Sequence, residues 1–329
     1  MCEPPARLAA TATVWQAKHV RILFVSANRL GDAVITCGIL DWLIRRYPQA
    51  RFTIACGPAA AGVYARMPQL ERILVFDKRK NDTHWPKLWW QVALTRWDLV
   101  IDIRGSALAY LVAARRRVVR RPRPGRMFEQ HAAMLGIDPA PLPVVWTAAA
   151  DRERATALLP PGPLYLGFGA TANWAPKIWP GPRFAELAHR LQSGPLPGAV
   201  PVVLAGPGER EAELAGPLLA ALPEAIDLVG RLSVAEAAAA TQRCALYVGN
   251  DSGLMHLAAA AGVPTVGLCG ATLDRADEMA PAGHHAVWAR AARPDMESLS
   301  VDEVERACAL ILDQAARAFS DRVDPPDRN

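Results

Sequence analysis

The chain has 329 residues and a net charge of +5, and its 51% hydrophobic against 21% charged side chains argue against a disordered protein. No apolar run approaches the roughly 20 residues of a membrane-spanning helix, and residues 1–20 lack the apolar core of a secretory signal, so we expect a cytoplasmic protein. Six widely spaced cysteines without a C-x-x-C pair argue against a disulfide framework and a zinc site, and predict buried, reduced thiols.

Short apolar runs alternate with helical stretches in the first half of the chain. Strands are predicted at 20–26, 52–56, 73–76 and 99–103, and an apolar helix over 33–46 separates the first two. Strands that alternate with helices in this way indicate a parallel sheet built from right-handed βαβ units.

The second half repeats this alternation. Its predicted strands lie at 164–168, 200–205, 226–229, 245–249 and 264–268. Its predicted helices lie at 182–192, 233–243, 254–261 and 301–312. Ser233 and Glu236 have the spacing of a capping box, and Gly262 stands where a helix often ends with a glycine.

A stretch rich in proline and alanine, 139–163, separates the two patterns and contains the predicted domain boundary. We therefore expect an α/β protein with one Rossmann-like, doubly wound domain over 1–150 and another over 151–329. Ligands of such domains bind at the carboxyl ends of the parallel strands. The active site is accordingly expected in a central cleft that both domains face.

The net charge differs between the two predicted domains. Residues 1–150 contain 22 Lys and Arg against 10 Asp and Glu, a net charge of +12, whereas residues 151–329 contain 15 against 22, a net charge of −7. This asymmetry indicates that the first domain meets an anionic partner. Nucleic acid, an anionic lipid surface and an acidic sugar are all possible at this point.

The loop after the first strand contains the run Asn28-Arg29-Leu30-Gly31-Asp32, and Gly31 allows a tight turn into the following helix. Asp32 has two interpretations. As an N-cap residue, it would stabilise the start of the helix by about 1 kcal/mol. As a general base facing the ligand, it would take the proton from an attacking hydroxyl group. On the residues alone, both interpretations stay open.

A second loop, after the strand that opens the second domain, contains Lys177 between Pro176 and Trp179. A solvated surface lysine is the simpler interpretation. A lysine held by flanking prolines would instead place its charge against a diphosphate leaving group. The small residues Gly169 and Thr171 in the same loop would let backbone amides approach phosphate oxygens.

The run Gly206-Pro207-Gly208-Glu209-Arg210-Glu211 is rich in glycine, but it is not the G-x-G-x-x-G fingerprint of dinucleotide-binding domains. Glu209 or Glu211 would be placed to bind a ribose hydroxyl. Acidic residues are also common in the first turn of a helix for electrostatic reasons alone, so the structural interpretation is favoured for either residue by itself.

The most specific run is Gly249-Asn250-Asp251-Ser252-Gly253-Leu254-Met255-His256, which joins a strand directly to a helix. Ser252 and Gly253 would present free amide donors at the positive end of that helix, where a pyrophosphate binds well. Asp251 repels phosphate, so we expect it to hold sugar hydroxyls beside the phosphate. His256 lies one turn inside the helix, where a buried, hydrogen-bonded histidine is expected rather than a catalytic one.

Seven arginines crowd into residues 115–126. They are expected to attract an anionic partner or an anionic membrane surface, and Arg116, Arg120 and Arg123 are the candidates for contacts with it. A solvated basic stretch that supports solubility is the alternative. No nucleic-acid-binding module is recognisable and no aromatic residues lie between the arginines, which argues against a nucleic-acid partner.

Four runs, in this order, resemble glycosyltransferase family 9, the lipopolysaccharide heptosyltransferase family. They are Arg29-Leu30-Gly31-Asp32, Leu99-Val100-Ile101-Asp102-Ile103-Arg104-Gly105, Pro176-Lys177-Ile178-Trp179-Pro180 and Asn250-Asp251-Ser252-Gly253-Leu254-Met255-His256-Leu257. One departure is Cys269-Gly270-Ala271-Thr272, where Phe-Gly-x-Thr is usual in the family. The resemblance covers residues 20–312, nearly the whole chain, and four motifs in order are far more specific than any one of them.

The resemblance implies a GT-B fold and an inverting, metal-independent transfer of heptose from ADP-heptose to a lipopolysaccharide core sugar, without a cofactor. At the matching positions, Asp32 would be the base, Lys177 would bind donor phosphate and Asp251 would bind the donor heptose. Ser252, Gly253 and His256 would line the phosphate side of the donor.

The resemblance also assigns the acceptor to the N-terminal domain. Arg29 and Arg104, which belong to the matched motifs, are therefore further candidates for acceptor contacts. The acceptor would be an anionic glycolipid, so the protein would make peripheral contact with the cytoplasmic face of the membrane.

Other functions stay open beside this one. A member of the same family could use another nucleotide sugar or another glycan acceptor. A nucleotide-sugar epimerase of related two-domain architecture would bind a similar donor and need no acceptor. A nucleic-acid-binding protein would use the arginine cluster, and an inactive sugar-binding relative is disfavoured by the presence of Asp32 and Lys177.

Overall fold

The structure, a computed structural model, describes residues 20–77, 84–270 and 276–323, the side chains of 319–323 excepted. The chain forms two compact units, one ending at Trp146 and the other beginning at Thr147. This division falls within the stretch rich in proline and alanine. Each unit is built around one parallel sheet.

The sheet of the first unit has five strands in the order β3-β2-β1-β4-β5, all parallel. The strands are β1 (Arg21–Val25), β2 (Arg51–Cys56), β3 (Leu70–Val75), β4 (Trp97–Asp102) and β5 (Ala114–Val119). The sequence predicts the first four strands but not β5, because three consecutive arginines at its centre hide the strand pattern. β5 tolerates them because it lies at the edge of the sheet, where its arginines reach solvent.

The helices of the first unit connect these strands. They are α1 (Leu30–Ile35), α2 (Cys37–Arg46), α3 (Pro58–Tyr64), α4 (His84–Val92) and α5 (Met127–Leu135), with a short 3-10 helix at Ala107–Tyr110. The single helix predicted over 33–46 is wrong in two respects: the helical segment begins earlier, at Leu30, and it is interrupted at Thr36.

A buried network of hydroxyl groups holds this interruption in place. The Thr36 hydroxyl donates to the carbonyl oxygen of Ala33, at 2.7 Å, and shares a hydrogen bond of 3.0 Å with the Tyr64 hydroxyl. The Tyr64 hydroxyl also lies 2.5 Å from the Ser26 hydroxyl. Ser26 follows β1 directly, so the network ties the end of β1 to the junction of α1 and α2. The segment made of the β1–α1 loop and α1 is thereby fixed at both of its ends.

The sheet of the second unit has six strands in the order β11-β10-β9-β6-β7-β8, again all parallel. The strands are β6 (Tyr165–Gly169), β7 (Val200–Val203), β8 (Ile226–Asp227), β9 (Leu246–Asn250), β10 (Thr265–Cys269) and β11 (Ala286–Arg290). The helices are α6 (Ala149–Leu158), α7 (Gly181–Ser193), α8 (Glu209–Ala221), α9 (Val234–Thr241), α10 (Gly253–Ala260) and α11 (Val301–Val323), with 3-10 helices at Ala175–Lys177 and Met296–Ser298.

Two details of the second unit confirm the predicted helix ends. Ser233 caps α9 by accepting from the amide of Glu236, at 3.3 Å, while the Glu236 carboxylate accepts from the Ser233 amide, at 2.7 Å. Gly262 follows α10 with a φ of +83°, a conformation that favours glycine. The closing helix, predicted to end at residue 312, continues to Val323.

The strand order reverses at one place in each sheet, between β1 and β4 in the first unit and between β6 and β9 in the second. Chain segments leave these neighbouring strands in opposite directions, and this opens a crevice at their carboxyl ends. In the first unit the crevice is formed by loops 26–29 and 103–106. In the second unit it is formed by loop 170–180 and residues 251–252.

Of the described helices, none combines the length and apolar character that crossing a membrane requires. The five cysteines in the described ranges, which are Cys37, Cys56, Cys244, Cys269 and Cys308, are buried and have free thiols, as the sequence predicts. Cys2 lies outside the described residues.

Candidate active site

Asp32 lies in the first turn of α1, at the crevice of the first unit, and is partly exposed. The N-cap interpretation of this residue is wrong, because the helix begins at Leu30 and Arg29 occupies the N-cap position with an extended backbone. A carboxylate in the first turn is still favoured by the positive end of the helix. The side chain of Arg29 makes no capping hydrogen bond and is exposed.

Arg104 joins the two loops of this crevice. It follows β4, and its guanidinium donates to the side-chain oxygen of Asn28, in the loop after β1, at 2.5 Å. The same guanidinium lies over the rings of Phe76, at 5.3 Å, and Trp85, at 5.5 Å. A partly buried cation is thus held beside the loop that leads to Asp32.

The loop that carries Arg104 is shaped by the buried carboxylate of Asp102. This carboxylate accepts from the backbone amides of Arg104, Gly105 and Ser106, at 2.8 to 3.0 Å, and from the Ser106 hydroxyl, at 2.5 Å. Burial raises the pKa of the Asp102 carboxyl, and the hydrogen bonds from Ser106 and the amides oppose this effect. The sequence places Asp102 within a motif, and no role is predicted for it. Its role is to position the loop.

Alternation along β5 divides the arginine cluster between the two faces of the sheet. Arg117 donates to the carbonyl oxygens of Ala109, at 2.8 Å, and Val112, at 2.7 Å, and therefore supports the 3-10 helix beside it. Arg115, on the same face, pairs with Asp98, at 3.5 Å. Arg116 lies on the opposite face and is exposed.

The rest of the cluster follows β5 as a loop. Arg120 is partly buried, and within the described chain its Nε atom has no hydrogen-bond partner. Burial, together with the charge of Arg120, lowers the pKa of His131 to about 4. Arg121 and Arg123 are exposed. The cluster predicted as one attractive surface is therefore partly structural: Arg115 and Arg117 are exposed but engaged in the contacts above, and Arg116, Arg121 and Arg123 are exposed too.

The crevice of the second unit brings together two of the predicted donor residues. Lys177 closes the 3-10 helix after β6, and Asp251 follows β9 directly. The Lys177 ammonium group forms an ion pair with the Asp251 carboxylate, and these side chains are 25% and 10% exposed. A partly exposed cation and a largely buried anion thus stand side by side at the end of the sheet.

Asn250 and Trp179 anchor the loop that carries Lys177, although no role is predicted for either residue from the sequence. The side-chain oxygen of Asn250 accepts from the backbone amide of Trp179, at 3.0 Å. The Trp179 indole is fully buried against Phe184, with ring centroids 4.9 Å apart, and donates to the carbonyl oxygen of Leu299, at 2.8 Å. Lys177 is therefore held by a buried tryptophan two residues away as well as by the neighbouring prolines.

The start of α10, beside this ion pair, has unused hydrogen-bonding capacity. Ser252 occupies the N-cap position with an extended backbone, and its side chain does not cap the helix. The Ser252 hydroxyl oxygen and the Asn250 side-chain nitrogen are buried, and neither has a hydrogen-bond partner among the described residues. The first backbone amides of a helix have no partner within the helix. These donors and the positive end of α10 suit an anion that carries several oxygens.

The model of glycosyltransferase family 9 (heptosyltransferase) matches residues 87–308, which is more than half of the chain.

The chain belongs to glycosyltransferase family 9. The lipopolysaccharide heptosyltransferase 1 of Pseudomonas aeruginosa is 29% identical, with 77% of this chain and 79% of that protein covered. The family 9 glycosyltransferase of Veillonella parvula has a TM-score of 0.75 at 19% identity, covering 91% of this chain and 99% of that chain. The ADP-heptose lipopolysaccharide heptosyltransferase II of E. coli has a TM-score of 0.72 at 20% identity, covering 90% and 100%. The fold is thus of the GT-B type, as predicted, and the protein is a heptosyltransferase-like glycosyltransferase.

Within this family 9 fold, Gly169 has a packing role that the sequence does not reveal. Gly169 is the last residue of β6, and a Cβ atom there would collide with the buried hydroxyl of Tyr247 on β9. Its small size therefore makes room for a tyrosine, which is a separate reason for glycine from the predicted approach of a phosphate. Thr171, two residues later, is buried in the loop after β6.

The other predicted donor residues of this family 9 member, His256 and Glu209, lie in different environments. His256 is buried one turn inside α10, as expected for a structural histidine. Glu209 is the exposed first residue of α8, after β7, and thus lies one strand away from the crevice between β6 and β9. The structure brings Lys177, Asp251 and Ser252 together and does not bring Glu209 to them.

Proposed function

We propose that this glycosyltransferase moves a heptose from ADP-heptose to the core sugar of an anionic, lipopolysaccharide-type glycolipid. The observation that carries the proposal is the ion pair of the partly exposed Lys177 with Asp251, beside the uncapped start of α10. A nucleotide diphosphate sugar offers each charge a partner, since its phosphates suit the lysine and its hydroxyls suit the carboxylate. The relatives named as heptosyltransferases support heptose as the sugar.

In the proposed reaction, the diphosphate lies at the start of α10. The amide of Gly253, the Ser252 hydroxyl and the Asn250 side-chain nitrogen would donate to its oxygens, and Gly169 and Thr171 would line the phosphate side with His256 behind them. The bond between the anomeric carbon and the terminal phosphate oxygen breaks, and Lys177 stabilises the negative charge that forms on that oxygen.

The acceptor side of the reaction is assigned to the first unit. An acceptor hydroxyl oxygen forms the new bond to the anomeric carbon, and Asp32 takes its proton. One displacement of this kind inverts the anomeric configuration. Arg29 and Arg104 would bind anionic groups of the acceptor at the crevice, and Arg116, Arg120 and Arg123 would attract it over a longer range. An acceptor anchored by lipid would place the enzyme at the cytoplasmic face of the membrane.

Calorimetric titration with a panel of ADP-, UDP- and GDP-sugars, followed by a transfer assay, tests the proposal. We expect ADP-heptose to bind most tightly and transfer to require a heptose-free core acceptor. Preference for a UDP- or GDP-sugar would show that this family member uses another donor. Conversion of the donor sugar without any acceptor would identify an epimerase instead.

Transfer is predicted to need no divalent metal. Within the described ranges, no three His, Cys, Asp or Glu side chains are grouped so that they could hold a metal ion. Lys177 and the start of α10 supply the positive charge that a metal would otherwise give the diphosphate. Activity should be unchanged in excess EDTA, measured with metal-free substrates. A loss of activity that magnesium or manganese restores would contradict the prediction.

Replacing Arg116, Arg121 and Arg123 together by serine is predicted to weaken acceptor capture at low salt. These three side chains face solvent, so they act through long-range attraction, which salt screens over about 8 Å at physiological ionic strength. KM for the acceptor should rise in the triple variant at low salt and approach the wild-type value at high salt. The matched control replaces Arg152, Arg154 and Arg210, which are exposed on the second unit. If KM for the acceptor depended on salt equally in the wild type, the triple variant and the control variant, the arginine cluster would have a role other than attracting the acceptor.

A further inference from the structure

We infer that the surface formed by α4 and the 3-10 helix Ala107–Tyr110 docks the first unit on an anionic phospholipid bilayer, an inference that rests on the proposed lipid-anchored acceptor. Four large apolar side chains are exposed there, namely Trp90 (67%), Leu94 (93%), Tyr110 (64%) and Leu111 (62%). Single exposed apolar side chains are ordinary, but a group of them marks an interaction surface. We call these four residues the apolar patch.

The apolar patch is one surface because Trp89 connects its two parts. The Trp89 indole donates to the carbonyl oxygen of Leu111, at 2.8 Å. The ring of Trp90 stands edge-on to that of Trp89, with 5.0 Å between the centroids. Leu94 follows Trp90 by four residues and continues its helical face, since the amide of Ala93 still bonds to the carbonyl oxygen of Trp89.

The backbone under the apolar patch is firmly held. Arg117 donates to carbonyl oxygens on both sides of Tyr110 and Leu111. Leu88 and Leu108, on the inner side of the same elements, belong to the buried core of the sheet. The patch therefore faces solvent on a well-packed backbone, and no described residue of its own unit covers it.

The charge around the apolar patch is positive. Residues 84–117, which run from α4 into β5, contain six Lys and Arg against two Asp and no Glu, a net charge of +4. Both aspartates are already bonded, Asp98 to Arg115 and Asp102 to the buried loop amides. Lys87, one turn before Trp90, and Arg96, two residues after Leu94, are exposed. An apolar centre with a basic surround is the pattern of a protein that lies in the headgroup region of an anionic membrane.

A bilayer fits this surface better than a second copy of the chain does. In a symmetric dimer the same patch would face itself, and the basic surround of one copy would oppose that of the other. An anionic bilayer supplies negative charge at the rim and hydrocarbon below it. Tryptophan and tyrosine, which have an apolar ring and a polar tip, are enriched at such interfaces.

Flotation with vesicles of mixed phosphatidylglycerol and phosphatidylcholine, free of any glycolipid, tests the inference on the full chain. Wild-type protein should bind these vesicles, and binding should weaken in high salt and on pure phosphatidylcholine. Trp90→Ser/Leu94→Ser and Tyr110→Ser/Leu111→Ser should each bind at least about tenfold more weakly, because each removes half of the apolar patch.

The matched control is Leu164→Ser/Leu310→Ser, which replaces exposed apolar residues of the second unit and should bind like wild type. Both patch variants should keep transfer to a deacylated, soluble acceptor within about twofold of wild type. Wild-type vesicle binding by both patch variants would overturn the inference. So would a wild-type dimer that the patch variants convert to monomers while vesicle binding stays unchanged. Failure of the proposed function would appear separately, as absence of transfer by wild-type protein to the soluble acceptor.

Discussion

Lys177→Ala is expected to lower turnover by about a hundredfold to a thousandfold and to weaken ADP binding at least about tenfold. The lysine is held at the crevice of the second unit by the buried Trp179 and is partly exposed toward any ligand at the start of α10. It would touch the terminal phosphate both in the ground state and as the leaving group departs. Because the charge on that phosphate grows in the transition state, turnover should suffer more than binding.

Asp251→Ala should affect ligand binding in a different way from Lys177→Ala. Its carboxylate is the ion-pair partner of Lys177 in the free protein. Removing it releases the lysine and takes a negative charge away from the phosphate site, so ADP should bind as tightly as before or several-fold more tightly. ADP-heptose should nevertheless bind more weakly, by about tenfold, because the sugar hydroxyls lose their acceptor.

Calorimetric titration of both variants with ADP and with ADP-heptose separates these roles. Arg154→Ala, which removes an exposed cation elsewhere on the second unit, is the control for a simple loss of positive charge and should leave both ligands unaffected. Asp251→Asn keeps the shape of the side chain and should behave like Asp251→Ala toward ADP. If Asp251→Ala lost as much affinity for ADP as Lys177→Ala, the two residues would share one role in phosphate binding.

Asp32→Ala is expected to lower turnover by about a hundredfold or more while donor binding stays near the wild-type value. Asp32 lies in the first turn of α1 at the crevice of the first unit, and the donor residues belong to the second unit. A general base acts on the acceptor hydroxyl, so its loss should appear in kcat at saturating donor.

Asp32→Asn, which keeps the size and loses the negative charge, should be as inactive as the alanine variant. Asp41→Ala is the matched control, because Asp41 is a partly exposed carboxylate one helix later that pairs with Arg45. That variant should retain wild-type turnover. A folded Asp32→Ala protein with turnover close to that of wild type would remove Asp32 from the base role.

The sequence predicts the α/β class, nine of the eleven strands and donor roles for Lys177 and Asp251 in loops that follow strands of the second domain. The structure brings the two residues together because both follow parallel strands, and the carboxyl ends of neighbouring strands lie at one edge of a sheet. Their direct ion pair could not be predicted, because it depends on how two loops 74 residues apart approach each other. The same applies to the bond between Asn250 and Trp179.

Two local errors have physical causes as well. The N-cap interpretation of Asp32 failed because the helix starts at Leu30, and helix ends depend on tertiary contacts as much as on propensity. β5 was missed because its arginines resemble a solvated segment, yet their hydrogen bonds and position at the sheet edge make a strand possible. Because β5 is not predicted, the sequence does not show which arginines of the cluster lie on which face of the sheet.

The hydroxyl network of Ser26, Thr36 and Tyr64 bears on which parts of the enzyme can move during turnover. Ser26 lies just before the loop that leads to Asp32, and Thr36 lies just after the short helix that contains it. This segment is held to the sheet at both ends, so the backbone that carries Asp32 is in position before any ligand arrives. Ordering the segment of the proposed base should therefore cost no substrate affinity. Conformational changes that accompany catalysis should then be sought outside residues 26–36, and compounds that compete for this crevice will meet a preorganised surface.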